Sequence, residues 1–204
     1  MVKKIGIIGD SIAHGFYDAA DLGWVARLGK MIQQVSNGAY VFNNMAQSGD
    51  NVADAYNRAV VEVSSRQFDL LIVNVGINDL RRRKDSDLQL DFSEGARVMY
   101  WQKLLDFLRK TGATIVVTDL LPVVEEKYTK EASLVRRNSD VERYNEIIKN
   151  VCAKYGVPFF ARYDAWKERN LPDLFQDATH PNAKGHQIMA EEIFAFLRQK
   201  NLIG

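Results

Sequence analysis

Short apolar runs alternate with helical patterns along this chain, and this alternation limits the folds that it can adopt. The apolar runs lie at residues 2–8, 40–42, 70–75, 114–118 and 157–160. Their continuous, β-branched character is typical of strands that are buried on both faces of a parallel sheet. Parallel strands need crossover connections, which are right-handed and usually helical. The alternation therefore predicts an α/β protein built as a three-layer α/β/α sandwich.

Three of the intervening segments carry apolar residues at helical spacing. They cover residues 94–111, 140–155 and 183–199. The first is predicted to end at Gly112 and the second at Gly156, because glycine readily adopts the left-handed conformation that ends many helices. Ser139 and Glu142 have the spacing of a capping box, which predicts the start of the second helix.

Composition narrows the class of protein further. The chain has 204 residues, of which 47% are hydrophobic, and this predicts a single domain over residues 1–204. Lys and Arg number 27 against 26 Asp and Glu, so the net charge of +1 predicts neither a nucleic-acid partner nor attraction to an anionic membrane. No apolar stretch reaches the roughly 20 residues of a membrane-spanning helix, and no secretion signal is visible, so we expect a soluble cytoplasmic protein. Cys152 falls in a predicted helix and is expected to fill the core.

Two connections are longer than a tight turn requires. Residues 79–93 contain the basic run 81–84 followed by the acidic stretch 85–87, and residues 120–138 have mixed charge. Both connections follow strand candidates, so both are expected to face the crevice at the carboxyl ends of the strands. Long loops at this place are often lids or specificity walls, and the basic run 81–84 can equally be interpreted as a solvated surface loop.

Ser11 follows the first apolar run in the sequence Gly9-Asp10-Ser11. Open α/β sheets bind their ligands in the crevice outside the carboxyl ends of the strands, so this serine is a candidate nucleophile. The same composition is typical of a turn, and Ser11 can equally be interpreted as the N-cap of a following helix.

Two further strand candidates end in turns that can supply hydrogen-bond donors. Gly49 follows the second candidate and Asn78 follows the third. The carboxyl ends of parallel strands lie side by side, so these residues can converge on Ser11 although they are distant in sequence. Acyl transfer needs donors aimed at the oxygen that becomes negative in the transition state. The backbone N–H groups of Ser11 and Gly49 and the side-chain amide of Asn78 are candidates for this oxyanion hole, although both Gly49 and Asn78 are also ordinary turn residues.

His180 is the candidate general base among three histidines. It lies in a polar loop before the last helix, and Asp177 is close enough in sequence to accept its imidazole N–H and fix the tautomer. His14 is tethered too closely to Ser11 for good geometry, and His186 falls within the last helix as a surface or core residue. No second histidine, cysteine cluster or paired carboxylate stands near His180 at ligand spacing, so no metal site is predicted.

The chain resembles the SGNH, or GDSL-type, hydrolase family through four blocks that occur in the family's order. The blocks are Gly9-Asp10-Ser11, Gly49, Gly76-Ile77-Asn78-Asp79 and Asp177-Ala178-Thr179-His180. The resemblance implies a flavodoxin-like sandwich with about five parallel strands. It also implies that Ser11 is the nucleophile and that His180 is the general base, oriented by Asp177.

The same resemblance implies an oxyanion hole formed by Ser11, Gly49 and Asn78, and a reaction that needs no cofactor. The sequence departs from the commonest form of the first block at residues 12–15. This departure bears on the wall of the pocket rather than on the triad, and it leaves His14 able to touch the substrate.

The resemblance therefore implies a serine esterase that hydrolyses a carboxylic ester of a small molecule through an acyl-enzyme. No strongly apolar lid is visible in the sequence, which favours a short-chain or polar substrate, including an acetylated carbohydrate. Lysophospholipase or acyl-thioesterase activity are alternatives within the family. A non-catalytic flavodoxin-like binding module and a sandwich that binds phosphate or a flavin are alternatives outside it, although Gly9-Asp10-Ser11 lacks a glycine-rich phosphate loop.

Overall fold

The computed structural model describes residues 2–18, 20, 22–36, 38–84 and 88–203. In this part of the chain the strands are β1 Lys3–Gly9, β2 Tyr40–Asn44, β3 Leu70–Asn74, β4 Arg82–Arg83, β5 Thr114–Thr118, β6 Leu134–Val135 and β7 Phe159–Phe160. Five of these described strands form one parallel sheet in the order β2-β1-β3-β5-β7, and β4 pairs separately with β6. The main sheet has the flavodoxin-like order, which places a switch point beside the first strand. The predicted fold class is confirmed.

The burial of the strands explains why they could be predicted from continuous apolar runs in the sequence. All five residues of β3 and the last five of β1 are buried, because these strands lie in the middle of the sheet with helices on both faces. Strand β2 lies at one edge and has mixed burial. At the other edge, the predicted strand 157–160 pairs only at Phe159 and Phe160, because Pro158 has no N–H to donate to a ladder.

The helices are arranged in two layers. In the described part of the chain they are α1 Ser11–His14, α2 Gly23–Ser36, α3 Val52–Glu62, α4 Glu94–Arg109, α5 Asn138–Tyr155, α6 Tyr163–Lys167 and α7 Ala183–Gln199. Helix α2 packs against α7, while α3 packs against α4 and α4 against α5. These two groups cover opposite faces of the sheet, as right-handed crossovers require. None of the described helices is long and apolar enough to cross a membrane.

The start of α5 differs from the sequence prediction. The helix begins at Asn138, with Arg137 as N-cap and no side-chain cap, so the predicted capping box of Ser139 and Glu142 is wrong. The N–H of Asn138 is instead satisfied by the Glu125 carboxylate from the preceding loop, at 2.7 Å. The carboxylate of Glu142 is used elsewhere, since it binds Lys167 at 2.6 Å. The helix ends as predicted, with Gly156 in the left-handed conformation.

The two long connections meet each other. Strand β4 lies in the first of them and β6 in the second, and the antiparallel pair matches Arg82 with Val135 and Arg83 with Leu134. The acidic stretch 85–87 of the first connection lies outside the described residues. The pairing joins the turn that follows β3 to the loop that follows β5, on the side where the candidate site lies.

Candidate active site

Ser11 is placed by a tight turn at the end of β1. Gly9 must be a glycine here, because a Cβ would lie 2.8 Å from the backbone oxygen of Asn74 and overlap Ala13. Asp10 caps α1, and its carboxylate accepts the N–H of Ile12 at 3.0 Å. The N-cap is therefore Asp10, and the interpretation of Ser11 as the N-cap is wrong. The Ser11 hydroxyl has a different partner.

A chain of hydrogen bonds joins Ser11, His180 and Asp177. Oγ of Ser11 lies 2.9 Å from Nε2 of His180, and Nδ1 of His180 lies 2.7 Å from Oδ2 of Asp177. The carboxylate can only accept at neutral pH, so Nδ1 carries the proton and Nε2 presents a lone pair to the hydroxyl. The structure thus brings together three residues that span 169 positions of sequence.

The local fold of the loop keeps Asp177 ionised. Its second oxygen, Oδ1, accepts the backbone N–H groups of Thr179 and His180, each at 2.7 Å. Partial burial alone would raise the pKa of Asp177, but the imidazole of His180 and these two N–H groups outweigh it and lower the pKa to about 2. The carboxylate is therefore charged wherever the imidazole can be neutral.

Two aromatic rings pack against His180. The ring centroids of Phe16 and Tyr17 lie 5.0 and 5.7 Å from that of His180, and the two side chains are 43% and 51% exposed. Tyr17 has a φ of 65°, a left-handed conformation that an aromatic residue rarely adopts. His186 holds this segment, because its Nε2 donates to the Phe16 carbonyl at 3.1 Å while its Nδ1 accepts the N–H of Trp24 at 3.2 Å.

The other two histidines, His14 and His186, differ in burial and therefore in what they can do. His186 is fully buried in α7, and burial lowers its pKa, so it is a neutral core residue. His14 is exposed at the end of α1, where Nδ1 donates to the carbonyl of Ala46 at 3.2 Å. It lies beside the turn that carries Gly49. Cys152 is buried in α5, where burial raises the pKa of the thiol to about 12.

The three candidate oxyanion donors lie on the turns that follow β1, β2 and β3. In the part of the chain that the structure describes, neither the N–H of Ser11 nor that of Gly49 has a hydrogen-bond partner. Gly49 has a φ of 94°, which requires glycine. Asn78 is 6% exposed, and its Nδ2 donates to the carbonyl of Asp50 at 2.9 Å.

Sequence reasoning missed Arg136, which contacts both halves of the site. Its guanidinium donates to the carbonyl of Ile77 at 2.8 Å, to Oδ1 of Asn78 at 2.7 Å and to Oγ1 of Thr179 at 3.2 Å. The hydroxyl of Tyr128 lies 3.1 Å from the same Thr179 oxygen. Arg136 follows β6 in a long connection with no periodic pattern, so no signal in the sequence distinguishes it from the surrounding charged residues.

Two buried carboxyl groups lie beneath the site. Burial raises the pKa of Asp10 to about 6, although the N–H of Ile12 and the charges of His180 and Arg136 lower it. Burial raises the pKa of Asp79 to about 7, although its oxygens accept the N–H of Val52 at 3.1 and 3.3 Å. Asp79 thereby fixes the start of α3 against the turn that carries Asn78.

The fold and this arrangement define a class, the α/β sandwich hydrolases with a serine beside the first strand. Residues 7–188 match the GDSL-like lipase/acylhydrolase family, and the chain belongs to that family. It is therefore a hydrolase that acts on ester bonds. No curated protein matches the chain in sequence.

Solved structures share the fold along almost the whole chain. An acetyl xylan esterase, AlAXEase, aligns with a TM-score of 0.76 at 17% identity, over 95% of this chain and 99% of its own. A W215I variant of Axe2, an acetyl xylan esterase from Geobacillus stearothermophilus, aligns with a TM-score of 0.75 at 21% identity, over 97% and 94%. A lipase/acylhydrolase from Enterococcus faecalis aligns with a TM-score of 0.74 at 18% identity, over 98% and 97%. At these identities the likeness shows the fold.

Proposed function

We propose that the protein is a serine esterase in which Ser11 is the nucleophile, His180 the general base and Asp177 the residue that orients it. The observation that carries the proposal is the unbroken chain of hydrogen bonds from Ser11 Oγ through both ring nitrogens of His180 to Asp177. A neutral imidazole in this tautomer can take the hydroxyl proton as Oγ attacks an ester carbonyl.

The rest of the cycle follows from the same groups. The protonated His180 gives its proton to the leaving alcohol. The alcohol departs, and the acyl group remains bonded to Ser11 Oγ. Water then attacks the acyl-enzyme with His180 again as base, and the acid is released. Asp177 stabilises the imidazolium in both steps because its carboxylate stays charged.

The oxyanion of each tetrahedral intermediate is assigned to the N–H groups of Ser11 and Gly49 and to Nδ2 of Asn78. Support comes from the two backbone donors, which have no partner among the described residues, and from Asn78, which uses one N–H on Asp50 and keeps the other. Such donors are fixed before the reaction and strengthen their bonds only as charge develops.

The substrate that the site favours is a short acyl ester of a polar alcohol such as a carbohydrate. The exposed rings of Phe16 and Tyr17 beside His180 offer rigid apolar faces, and Tyr17 adds a hydroxyl, which suits a sugar ring on the leaving-alcohol side. The strained backbone of Tyr17 supports a functional position for this ring. The similarity in fold to two acetyl xylan esterases agrees with this choice.

The test is a panel of p-nitrophenyl esters from acetate to palmitate, run beside acetylated xylo-oligosaccharides, a lysophospholipid and an acyl-thioester. We expect the acetate and the acetylated sugars to be hydrolysed best. A preference for palmitate, for the lysophospholipid or for the thioester would contradict the substrate assignment and leave the mechanism standing.

Ser11→Ala tests the nucleophile and the alternative of a silent binding module. Loss of the nucleophile in a well-studied serine protease lowers turnover by roughly a million-fold, and we expect a comparable loss with the fold intact. A fluorophosphonate should label the wild-type protein at Ser11 and leave the variant unlabelled. An unlabelled wild-type protein with no activity on the panel would contradict the proposed mechanism.

A further inference from the structure

Arg136 is a buried cation whose hydrogen-bonding partners are all neutral. The residue is 8% exposed, and among the described residues no carboxylate lies within salt-bridge distance of it. Its three acceptors are one backbone carbonyl, one side-chain amide and one hydroxyl. Burying a charge is costly when no carboxylate binds it directly, so these three neutral acceptors around the guanidinium need a physical explanation.

The structure assigns to Arg136 the role of a positioning residue that sets the oxyanion donor Asn78 and ties it to the loop of His180. This role rests on the proposed esterase function. Asp10 is an acidic group that interacts with Arg136 in the resting protein, without a direct hydrogen bond. The negative charge that forms on the substrate oxygen beside Asn78 is a further charge that the guanidinium can stabilise through that amide.

The orientation of the Asn78 amide follows from its two partners. A guanidinium has only donors, so the amide must turn Oδ1 toward Arg136. A carbonyl only accepts, so the amide must turn Nδ2 toward Asp50. These two bonds fix the plane of the amide and leave one N–H of Nδ2 for the substrate oxygen.

The charge of Arg136 also changes the quality of that donor. A charge-assisted hydrogen bond at Oδ1 draws electron density from the amide, which makes the remaining N–H a stronger donor. Because the group is buried, water screens the effect little.

The third bond links the donor to the general base. Arg136 donates to Thr179, which immediately precedes His180 and whose N–H binds the same Asp177 oxygen as the N–H of His180. One side chain therefore holds the oxyanion turn and the triad loop at a fixed separation. Its own place is set by the β4–β6 pair, because it follows β6 directly.

The experiment compares Arg136→Gln, Arg136→Lys, Asn78→Ala and the double variant Asn78→Ala/Arg136→Gln on p-nitrophenyl acetate. We expect Arg136→Gln to lower kcat by about ten- to a hundred-fold with KM changed less than about threefold. In the double variant, the loss should be close to that of Asn78→Ala alone, because Arg136 acts through Asn78. Arg136→Lys keeps the charge but not the several N–H donors of the planar guanidinium, so the decrease in kcat should be smaller but measurable.

Arg82→Gln is the matched control. Arg82 lies on β4, pairs with Asp140 at 2.6 Å and donates to the carbonyl of Leu88, so its side chain contacts neither Asn78 nor Thr179. The substitution removes a half-buried guanidinium while it keeps the backbone pairing of β4 with β6 that places Arg136. We expect its kcat to stay within about threefold of wild type. A loss as large as that of Arg136→Gln would show that the sheet, rather than the guanidinium at Asn78, is responsible, and would overturn the inference.

Other outcomes are equally decisive. Losses that multiply in the double variant, or a rise in KM with kcat unchanged, would overturn the role of Arg136. If Arg136→Gln does not fold, Arg136→Lys decides, and wild-type turnover in that variant would overturn the inference. A failure of the esterase proposal looks different, because the wild-type protein would then lack activity or Ser11→Ala would retain it.

Discussion

At the scale of single residues, Asp177 does two things with its two oxygens. Oδ2 receives the imidazole of His180, while Oδ1 receives the two backbone N–H groups of its own loop. The backbone bonds fix the carboxylate before any substrate arrives and help to hold its pKa at about 2. The tautomer of His180 is therefore set by the loop itself.

Asn78→Ala should lower kcat by about a hundred- to a thousand-fold and leave KM nearly unchanged. The reason is that an oxyanion donor strengthens its bond only as charge develops on the substrate. Steady-state kinetics on p-nitrophenyl acetate measures the change. Asn170→Ala is the control, since Asn170 is exposed and its amide donates to Asp173 on the surface, at 2.8 Å. A variant of Asn78 that raised KM alone would mark this residue as a binding group without a role in the transition state.

Substitutions of His180, Asp177 and His14 should affect activity to different extents. His180→Ala should remove nearly all activity, while Asp177→Ala should retain more, because orientation is lost but the base survives. His14→Ala should at most alter the preference among substrates, because its imidazole lies beside Ala46 and outside the hydrogen-bonded chain. Equal damage from His14→Ala and His180→Ala would require a different base.

The pH profile belongs to the same comparison. Asp177 stays ionised down to about pH 2, so its protonation does not account for a loss of activity at higher pH. The base must be a neutral imidazole, and the buried Asp10 beside Ser11 has a pKa of about 6, so these are the groups to compare. We expect kcat/KM to rise with pH along a single limb in the wild type and in His14→Ala. A limb that disappears in His14→Ala would assign the titration to that residue.

At the scale of elements, the site is built where three strands end in turns that leave donors unpaired. The turn after β1 leaves the least room for a side chain, since a Cβ at Gly9 would lie 2.8 Å from the backbone oxygen of Asn74, whereas one at Gly49 would lie 3.8 Å from Arg81. Gly9→Ala should lower the stability of the fold by about 1–3 kcal/mol, because its Cβ would meet the backbone of Asn74 and displace α1 with Ser11. Urea unfolding and turnover measure the two effects.

Gly95→Ala is the matched control for Gly9→Ala. Among the described residues, no atom beyond its chain neighbours and the backbone of α4 lies within 4 Å of the Cβ that it would gain, so the change should stabilise the helix by up to about 1 kcal/mol and leave turnover unchanged. Equal stability of the two variants would show that the turn after β1 can relax, and would remove the steric argument for Gly9.

At the scale of the whole molecule, elements with a periodic apolar pattern could be predicted from the sequence, whereas single contacts between distant loops could not. Buried central strands have continuous apolar sequences, so the sheet and the fold class could be predicted, and the four blocks led to the family. The capping box at Ser139 was wrong because a contact with Glu125 replaces it. Arg136 and the β4–β6 pair depend on contacts between two distant loops, for which a single sequence carries no periodic signal.

The fold is confirmed by the structure, whereas the catalytic roles of the site residues are still predictions. Ser11, Asp177 and His180 were predicted from order and spacing, and the structure places them within hydrogen-bonding distance. Their catalytic roles stay a prediction until the variants are measured. The contacts that hold the site in place could not be predicted from the sequence. Arg136 binds Asn78 and Thr179, and Asp79 binds the N–H of Val52, and these contacts join residues that are distant in the chain.

The pH dependence of stability tests that support across the whole molecule. The carboxyl of Asp79 has a pKa of about 7 in the folded protein, mainly through burial, against about 3.9 in an unfolded chain. Between these values the folded state holds one proton more than the unfolded state. The contribution of the Asp79 carboxyl to the free energy of unfolding is therefore largest below about pH 4 and is lost as the pH rises through about 7.

Asp79→Asn should remove this part of the pH dependence. The amide oxygen can still accept the N–H of Val52, while the cost of ionising a buried carboxyl disappears. The free energy of unfolding of the variant, relative to wild type, should therefore rise between about pH 4.5 and about pH 8, measured by urea unfolding at each pH. Asp164→Asn, which changes an exposed carboxyl on α6, should give a curve parallel to that of wild type. Parallel curves for Asp79→Asn and wild type would mean that the buried carboxyl stays charged, with Arg97 as its compensating partner.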